Sequence, residues 1–344
     1  MMKLIFDAMS GDNAPRALVE GAVKARRELG TELVLVGRKE EILPCLSACG
    51  EAEGPGISIV DARETVTMED DPSTVIRKKK DSSMAVALQL LHEGQGDAVV
   101  SAGNTGALLT GATLIVKRIP GIRRAAMSPA VPNGGGGGVL IDCGANVVCK
   151  PEYLLQFAFM GSFYVRKLFH CPSPRVALLS NGAEPTKGAE LQREAYRLLE
   201  EAAAAGRINF VGNIEGSDVF SDRAEVIVTD GFTGNVALKT VEGTAKYLMK
   251  NLKNVMMGSF RAKLGALLMK SQLRELKKLL DVEEVGGTAF LGISRCVIKA
   301  HGNSDAKAVF SAARQAVAFV EGGIIEDIQA HIDEMSLSGR DKEE

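Results

Sequence analysis

The stretch AEVIVTDGFTGNVALKT, residues 224–240, contains a strand, a loop and the start of a helix in direct succession. Its apolar run Val226–Val228 stops at Thr229–Asp230, and small polar residues then lead into an amphipathic stretch. Residues 97–109, DAVVSAGNTGALL, repeat the same order. A buried strand that is followed by a loop and a helix is the unit from which parallel α/β sheets are built. Both stretches therefore predict βαβ units.

The rest of the chain follows the same alternation of strand and helix patterns. Helical patterns at 15–29, 74–93 and 187–205 separate short apolar runs, most of which end in Gly, Asn or Asp. The apolar runs are KLIFDA, ELVLVG, GISIVDA, DAVVSAG, GVLIDCG, RVALLSNG, INFVGNIEG and EVIVTDG. This order predicts an α/β protein with a three-layer, Rossmann-like fold and a mostly parallel sheet. We expect one catalytic domain over residues 1–335 and a disordered tail over residues 336–344.

The composition of the 344 residues argues against several functional classes. The net charge of −2 and the aromatic content of 5% do not favour binding of nucleic acid. The six cysteines include no C-x-x-C pair, and none of the four histidines has metal-ligand spacing to a cysteine. We therefore expect free thiols, no bound metal and a cytoplasmic protein. No apolar run reaches the roughly 18–20 residues that a membrane-spanning helix needs.

The loops after the apolar runs carry the candidate binding residues. The chain has no G-x-x-x-x-G-K-[ST] motif and no G-x-G-x-x-G motif after a strand, so we expect neither a nucleotide nor another cofactor. Glycine-rich helix starts offer unpaired N–H groups to an anion, although Gly and Asn also form ordinary caps and turns. Because both loops follow strands of one sheet, we expect them to share one small anion site at its carboxyl edge. The candidates are Ser101, Gly103, Asn104, Thr105 and Gly106 in the first loop and Asp230, Gly231, Gly234 and Asn235 in the second.

Two more strand ends carry polar candidates. Lys187, together with Asn181 earlier in the same loop, is a candidate to pair with an anion at the sheet edge. The ordinary alternative is an exposed loop lysine, which is the commoner fate of a single Lys. Asp7, a candidate substrate-binding residue, ends the first apolar run, where its loop either orients a cation or caps the helix that Pro15 begins.

The segment KAHGNSDAKA, residues 299–308, supplies another candidate pair. His301 is suited to donate a hydrogen bond to phosphate or to an oxyanion, and Asn303 lies beside it. The alternative is that Asn303 or Ser304 caps the following helix and that His301 is incidental.

A basic segment at 244–280 interrupts the alternation. Nine Lys or Arg residues stand against one acid, Glu275, with Leu and Met dense between them. The pattern predicts a helical hairpin that projects from the sheet. One interpretation is a solvated hairpin or dimer arm; the other, which we favour because the rest of the chain is slightly acidic, is a dock for an acidic partner or an anionic membrane. The candidate docking residues are Lys253, Met257, Phe260, Arg261, Lys263, Leu264 and Lys270.

Six stretches carry a resemblance to a known family. They are DAMSGDNAP, RKKKDSSM, SAGNTGALL, IDCGANVVCKPEYLLQFAFMG, DGFTGNVALKT and VIKAHGNSDAKA. In this order they closely resemble the acyl-carrier-protein:phosphate acyltransferases of bacterial phospholipid synthesis. The resemblance implies a homodimer with a fold like that of isocitrate and isopropylmalate dehydrogenases and of phosphotransacetylases. It also implies transfer of a fatty acyl group from acyl carrier protein to inorganic phosphate, which supplies acyl phosphate to a membrane glycerol-3-phosphate acyltransferase.

The implied reaction fits the predicted loops. A phosphate dianion needs little help from a general base, so the protein has to hold it against the thioester carbonyl with N–H groups and cations. We predict direct attack by phosphate, with Cys143 and Cys149 as structural thiols rather than acyl carriers. The predicted catalytic residues are Lys187, Asn235 and His301.

Three other functions remain open from the sequence. A phosphotransacetylase-like activity on acyl-coenzyme A is the first, because coenzyme A is also anionic. A dehydrogenase of the same fold is the second, although a dinucleotide fingerprint is missing. A non-catalytic scaffold at the membrane is the third, and it requires that the Gly–Asn loops bind no phosphate.

Overall fold

Eleven strands lie side by side in one sheet in the computed structural model, which describes residues 1–133, 137–273 and 286–335. They are β1 (Lys3–Asp7), β2 (Glu32–Gly37), β3 (Ile57–Asp61), β4 (Ala98–Ser101), β5 (Ala126–Val131), β6 (Gly138–Ile141), β7 (Arg175–Leu179), β8 (Asn209–Ile214), β9 (Val226–Val228), β10 (Thr288–Leu291) and β11 (Cys296–Lys299). Their order is β3-β2-β1-β4-β11-β10-β5-β6-β9-β7-β8. Each of the eight apolar runs contains one strand, whereas the pattern misses β5, β10 and β11.

Helices cover both faces of this sheet. They are α1 (Arg16–Leu29), α2 (Lys39–Ala48), α3 (Thr74–Arg77), α4 (Ser83–His92), α5 (Thr105–Gly111), α6 (Pro151–Leu168), α7 (Glu190–Ala204), α8 (Gly231–Met257), α9 (Phe260–Leu268), α10 (Ala306–Glu321) and α11 (Ile324–Ala330). Because alternate strand residues point to opposite faces, β1 sends Leu4 and Phe6 into one apolar cluster and Ile5 into another. The first cluster packs against α1, α6, α7 and α10, and the second against α4 and α5. The predicted three-layer α/β architecture is confirmed.

The sheet consists of two parallel groups of strands that run in opposite directions. The first group is β3, β2, β1, β4 and β11, and the second is β6, β9, β7 and β8. Between them, β10 is antiparallel to both β11 and β5, and β5 is antiparallel to β6. These three reversals place the carboxyl ends of β4 and β9 at opposite edges. The expectation that the loops after β4 and β9 share one edge is therefore wrong.

The predicted helical stretches are observed, with one of them divided. Residues 15–29 contain α1 and residues 187–205 contain α7, whereas residues 74–93 split into α3 and α4. The division arises because Ser82 is an N-cap, whose Oγ accepts the backbone N–H of Ala85 at 3.3 Å. Apolar periodicity alone does not reveal a cap inside a periodic stretch.

The helix that leads into the predicted hairpin at 244–280 begins well before residue 244. α8 is one continuous helix of 27 residues, so it begins at residue 231 rather than at 244. Its buried residues are Gly231, Gly234 and Leu238, all near its start. The remainder of α8 therefore extends away from the sheet with exposed or half-buried side chains.

The hairpin turns at Gly258–Ser259 and continues as α9, none of whose residues is buried. Ser259 caps α9, because its Oγ accepts the backbone N–H of Ala262 at 3.1 Å. Residues 274–280 of the predicted hairpin and the predicted tail at 336–344 lie outside the described residues.

The apolar helices are part of the core. The interior of α6 is buried along almost its whole length, and Phe157 and Tyr164 are completely covered. Within the described ranges no single helix is both long and apolar enough to cross a membrane, and α10 with α11 meets that test only as a pair bent by 40°. The assignment of residues 1–335 to one domain stays a prediction.

Candidate functional site

A cavity of about 310 Å³ lies over the centre of the sheet, on the face that carries α5 and α8. Its lining comes from the loops and helices after β4 and β9 and from the central strands. The lining residues are Thr105, Gly106, Leu109, Met127, Pro129, Cys143, Gly144, Asn235, Leu238, Lys239, Thr288, Lys299, Ala300 and His301. α5 and α8 start at opposite edges, yet Thr105, Gly106 and Asn235 line the same cavity, so residues of the two predicted loops come together here despite the reversal in the sheet.

The loop after β4 contributes Thr105 and Gly106 to the cavity, and its other candidates have structural contacts. Asn104 caps α5 by accepting the backbone N–H of Ala107 at 3.0 Å, and its amide group donates to the carbonyl oxygen of Met68 at 3.1 Å. Ser101 and Gly103 are buried behind the lining. The capping alternative therefore describes Asn104 better than direct binding.

The loop after β9 contributes Asn235, and its other candidates set the start of α8. Asp230 caps the helix by accepting the backbone N–H of Thr233 at 2.9 Å. Gly231 donates its backbone N–H to the carbonyl oxygen of Asn146 at 2.8 Å. A Cβ on Gly234 would lie 2.0 Å from the carbonyl oxygen of Asp142, so only glycine fits there. These contacts fix the position from which Asn235 enters the cavity.

Asp142 holds this corner of the site together, and the sequence patterns did not indicate it. Its side chain is completely buried. The carboxylate accepts the backbone N–H groups of Met127 at 2.9 Å, Ala145 at 3.2 Å and Asn146 at 2.7 Å, and the side-chain amide of Asn146 at 2.9 Å. Burial raises the pKa of Asp142 to about 6, although the hydrogen bonds from these donors act to lower it. The carboxyl group is therefore ionised at neutral pH.

The segment after β11 places His301 in the cavity wall. Ala300 before it donates its backbone N–H to the carbonyl oxygen of Ser101 at 2.9 Å, which ties this loop to the loop after β4. Asn303 is exposed and does not line the cavity; its carbonyl oxygen accepts the side-chain amide of Asn13 at 3.0 Å. The alternative cap at Asn303 or Ser304 is wrong, because Asp305 caps α10 through the N–H of Ala308 at 2.9 Å.

Lys187 and Asn181 lie elsewhere. Both belong to the loop after β7, at the edge where β9 also ends, and both are exposed. The backbone N–H of Lys187 donates to the carbonyl oxygen of Glu184 at 3.0 Å. Neither residue is among those that line the cavity, so their catalytic and binding roles stay predictions.

Lys299 is the buried cation of the cavity, and the sequence patterns did not select it. It ends β11 and its side chain is 7% exposed. Its pKa is lowered to about 8, mainly by burial; the buried Asp7 opposes this shift and the nearby Lys239 adds to it. Asp7 itself does not line the cavity; it is completely buried and accepts the hydroxyl of Ser101 at 2.7 Å. The sequence signal that could have identified Lys299 is its position as a polar residue at the end of an apolar strand.

The cysteines near the site are protonated thiols. Cys143 lines the cavity, and burial raises its pKa well above the usual range. Burial likewise raises the pKa of Cys149 to about 12. A thiol is a poor nucleophile in comparison with a thiolate. Among the residues that the structure describes, no group of three or more His, Cys, Asp or Glu side chains is arranged to hold a metal ion.

Comparison with known proteins shows which proteins this chain is similar to. A family model described as "Fatty acid synthesis protein" matches residues 2–327. A phosphate acyltransferase of Clostridioides difficile (strain 630) is 43% identical over 344 residues, which is 100% of both chains. A phosphate acyltransferase of Exiguobacterium sp. (strain ATCC BAA-1283 / AT1b) is 46% identical over 332 residues, covering 95% of this chain and 98% of that relative.

Two solved structures share the fold. A phosphotransacetylase from Streptococcus pyogenes superposes with a TM-score of 0.62 at 18% identity, over 93% of this chain and 94% of that one. A 4-hydroxythreonine-4-phosphate dehydrogenase from Klebsiella pneumoniae gives a TM-score of 0.52 at 12% identity, over 93% and 99%. At these identities the likeness concerns the fold alone, and it confirms the predicted α/β architecture.

Proposed function

The chain belongs to the phosphate acyltransferase family, and on that premise we propose that it transfers a fatty acyl group from acyl carrier protein to inorganic phosphate. The product is an acyl phosphate for phospholipid synthesis. One observation carries the proposal: Thr105, Asn235 and His301, which come from three separate sequence motifs, line one cavity together with two lysines. The acceptor of the family reaction is an anion, and this cavity has cations and polar groups to receive one.

The reaction needs positioning more than acid–base catalysis. An oxygen of HPO₄²⁻ attacks the thioester carbonyl carbon, the C–O bond forms and the C–S bond breaks. The proton that phosphate carried ends on the departing thiol, so no external acid or base is consumed. A thiolate with a pKa of about 8.5 is a good leaving group. The tetrahedral oxyanion needs hydrogen-bond donors, for which we propose Asn235 and His301, and one such donor lowers the barrier by about 3 kcal/mol.

An acyl-enzyme intermediate does not belong to the proposed mechanism. Cys143 is the thiol in the cavity wall, and its raised pKa leaves it protonated at neutral pH. Attack by phosphate on the carrier thioester therefore proceeds directly.

Release of free thiol tests the function. Purified protein, acyl carrier protein loaded with a C16 chain, and inorganic phosphate are expected to give free carrier thiol and acyl phosphate in equal amounts. The acyl phosphate is trapped with hydroxylamine. Palmitoyl-coenzyme A in place of the carrier tests the phosphotransacetylase-like alternative. Release that is independent of phosphate, or a preference for the coenzyme A thioester, would contradict the proposal.

The projecting hairpin is proposed as the docking element for the carrier. Residues 244–273 contain six Lys or Arg residues and no acid. On α9, Phe260, Leu264 and Leu267 recur at helical spacing, and Phe260 is 83% exposed. A basic and apolar helix without burial suits both an acidic protein and an anionic membrane surface. The charged residues Lys253, Arg261, Lys263 and Lys270 are assigned to the carrier, and Met257, Phe260 and Leu264 to the membrane.

Two double substitutions separate these two docking roles. Arg261→Glu with Lys263→Glu is expected to raise the KM for the carrier thioester about 10-fold while the KM for phosphate stays unchanged, because opposite charges steer association. Phe260→Ser with Leu264→Ser is expected to abolish co-sedimentation with vesicles that contain phosphatidylglycerol and to leave both KM values unchanged. The carrier assignment is wrong if the first pair leaves the KM for the carrier thioester unaltered at low salt.

The proposal extends to assembly and location. We propose a homodimer in the cytoplasm that contacts anionic membranes peripherally. This location brings the acyl phosphate to the membrane glycerol-3-phosphate acyltransferase that uses it. The resemblance of the sequence motifs supports this part of the proposal.

A further inference from the structure

A row of polar side chains crosses the sheet beside the cavity. Asp7 is in register with Ser101, Ser101 with Lys299, Lys299 with Thr288, and Thr288 with Pro129. Side chains in register on neighbouring strands point to the same face. Two residues earlier, β1, β4 and β11 have apolar residues that belong to the core cluster on the cavity face. The row therefore lies on that face, and its last three members line the cavity.

Lys299 is the charged member of this row that reaches the cavity. Its ammonium group has three N–H donors, and the one hydrogen bond that it makes within the described residues is to the carbonyl oxygen of Ala300. No carboxylate of the described residues lies within ion-pair distance of it. A buried cation without a close counter-ion is unfavourable. An anion that enters the cavity supplies the missing counter-charge.

Asp7 lies at the far end of this row and interacts with Lys299 electrostatically, without a direct hydrogen bond or ion pair among the described residues. Its Oδ2 accepts the hydroxyl of Ser101 at 2.7 Å, and Ser10 donates to the carbonyl oxygen of Asp7 at 2.8 Å. Its Oδ1 has no hydrogen-bond partner among the described residues and is buried. Burial raises the pKa of Asp7, and the negative charge of Asp7 raises the pKa of Lys299. The carboxyl group of Asp7 and the hydroxyl of Ser101 thus hold together the end of the row that does not line the cavity.

The other lysines fit the role of anion ligand less well. Lys239 lines the cavity, but its Nζ lies 2.7 Å from Glu242 Oε2. Lys187 is exposed and does not line the cavity. Lys299 is buried, faces the cavity and has donors left over.

We propose that Lys299 is a catalytic residue that binds the attacking phosphate in the cavity, and that Asp7 positions it through Ser101. The inference rests on the proposed function, and it assigns the phosphate-binding cation to Lys299 rather than to Lys187. The ammonium group orients the phosphate oxygen towards the thioester carbonyl and offsets one of the two negative charges of the phosphate dianion.

Direct binding of phosphate tests this assignment without turnover. Titration calorimetry with inorganic phosphate is expected to show binding at least about 10-fold weaker for Lys299→Met, since a charge-assisted hydrogen bond to a dianion is lost. Lys299→Arg keeps the charge and should bind more tightly than the Met variant. Lys24→Met, on the opposite face of the sheet, is the matched control and should bind like the wild type. Equal phosphate affinity of Lys299→Met and wild type overturns the proposal, as does loss of binding in Lys187→Met alone.

The pH profile of kcat/KM for phosphate gives an independent readout. The groups that face Lys299 are Asp7 from β1, Lys239 from α8, His301 after β11 and the protonated Cys143 after β6. Because the pKa of Lys299 is about 8, the ammonium form is lost above that pH. We expect the wild-type value to fall about 10-fold per pH unit above that point. Lys299→Arg stays charged, so this fall should be absent.

The pH profile also tests the role of Lys299 if the Lys299→Met variant does not fold. An unchanged alkaline fall in the folded Arg variant contradicts the proposal. A failure of the proposed function would give a different result: the wild type would bind phosphate through Lys299 but release no carrier thiol. Phosphate-dependent release with an unaltered phosphate KM in Lys299→Met keeps the function and removes Lys299 from it.

Discussion

Gly234→Ala is expected to lower kcat/KM at least about 100-fold, the loss that a displacement of about 1 Å in a catalytic group produces. The added Cβ would lie 2.0 Å from the carbonyl oxygen of Asp142 and 2.8 Å from Thr229 Cγ2. The first contact is backbone in a loop that Asp142 anchors, so it cannot rotate away. α8 therefore has to move outward, and it takes Asn235 and Lys239 with it. Steady-state kinetics with carrier thioester and phosphate measure the loss.

Gly243→Ala is the matched control for this substitution. Gly243 lies on the same helix, and apart from its chain neighbours and its own helix backbone no atom of the described residues lies within 4 Å of the position that its Cβ would take. Alanine in an exposed helix interior is more favourable than glycine by about 0.5–1 kcal/mol. The control should therefore retain wild-type turnover with an equal or higher Tm. Wild-type kinetics in Gly234→Ala would show that the position of the start of α8 does not determine the geometry of the cavity.

Asp142→Ala is expected to reduce the free energy of unfolding by about 3–5 kcal/mol. The substitution leaves three backbone N–H groups and the amide of Asn146 without their buried acceptor. The comparison belongs at pH 7.5, because the pKa of Asp142 is about 6 and the ionised carboxylate then accepts all four. Urea denaturation followed by circular dichroism gives the difference. A loss of this size is a large part of the stability of most domains.

Asp222→Ala provides the corresponding surface control. Asp222 is exposed, and a surface substitution of this kind changes stability by no more than about 0.5 kcal/mol. Asp142→Ala with a stability equal to that of Asp222→Ala would mean that water or a shifted loop satisfies the four donors. The activity of the Asp142 variant should fall as well, since the loop that it anchors contributes Cys143 and Gly144 to the cavity.

The sequence motifs named candidate residues, and the structure shows which of them lie together. Thr105, Gly106, Asn235 and His301 line one cavity, and their roles there stay predictions. Other members of the same motifs hold the backbone instead. Asn104 and Asp230 show why: a short polar side chain at a helix start satisfies the N–H groups of that helix before it reaches a ligand. Ligand contact and capping have the same local sequence, and the residue pattern cannot separate them.

Local sequence determined the elements of this protein, because apolar runs, helical periodicity and glycine loops act over a few residues. It thereby determined the α/β class and the basic hairpin. The tertiary structure alone decided that the sheet reverses through β10 and β5, that the first turns of α5 and α8 line one cavity, and that Lys299 lies beside Ser101 and Thr288. Strand register and direction are set by pairing between residues far apart in the chain. For that reason the buried lysine at the end of a four-residue strand becomes a candidate ligand only when its neighbours in the sheet are known.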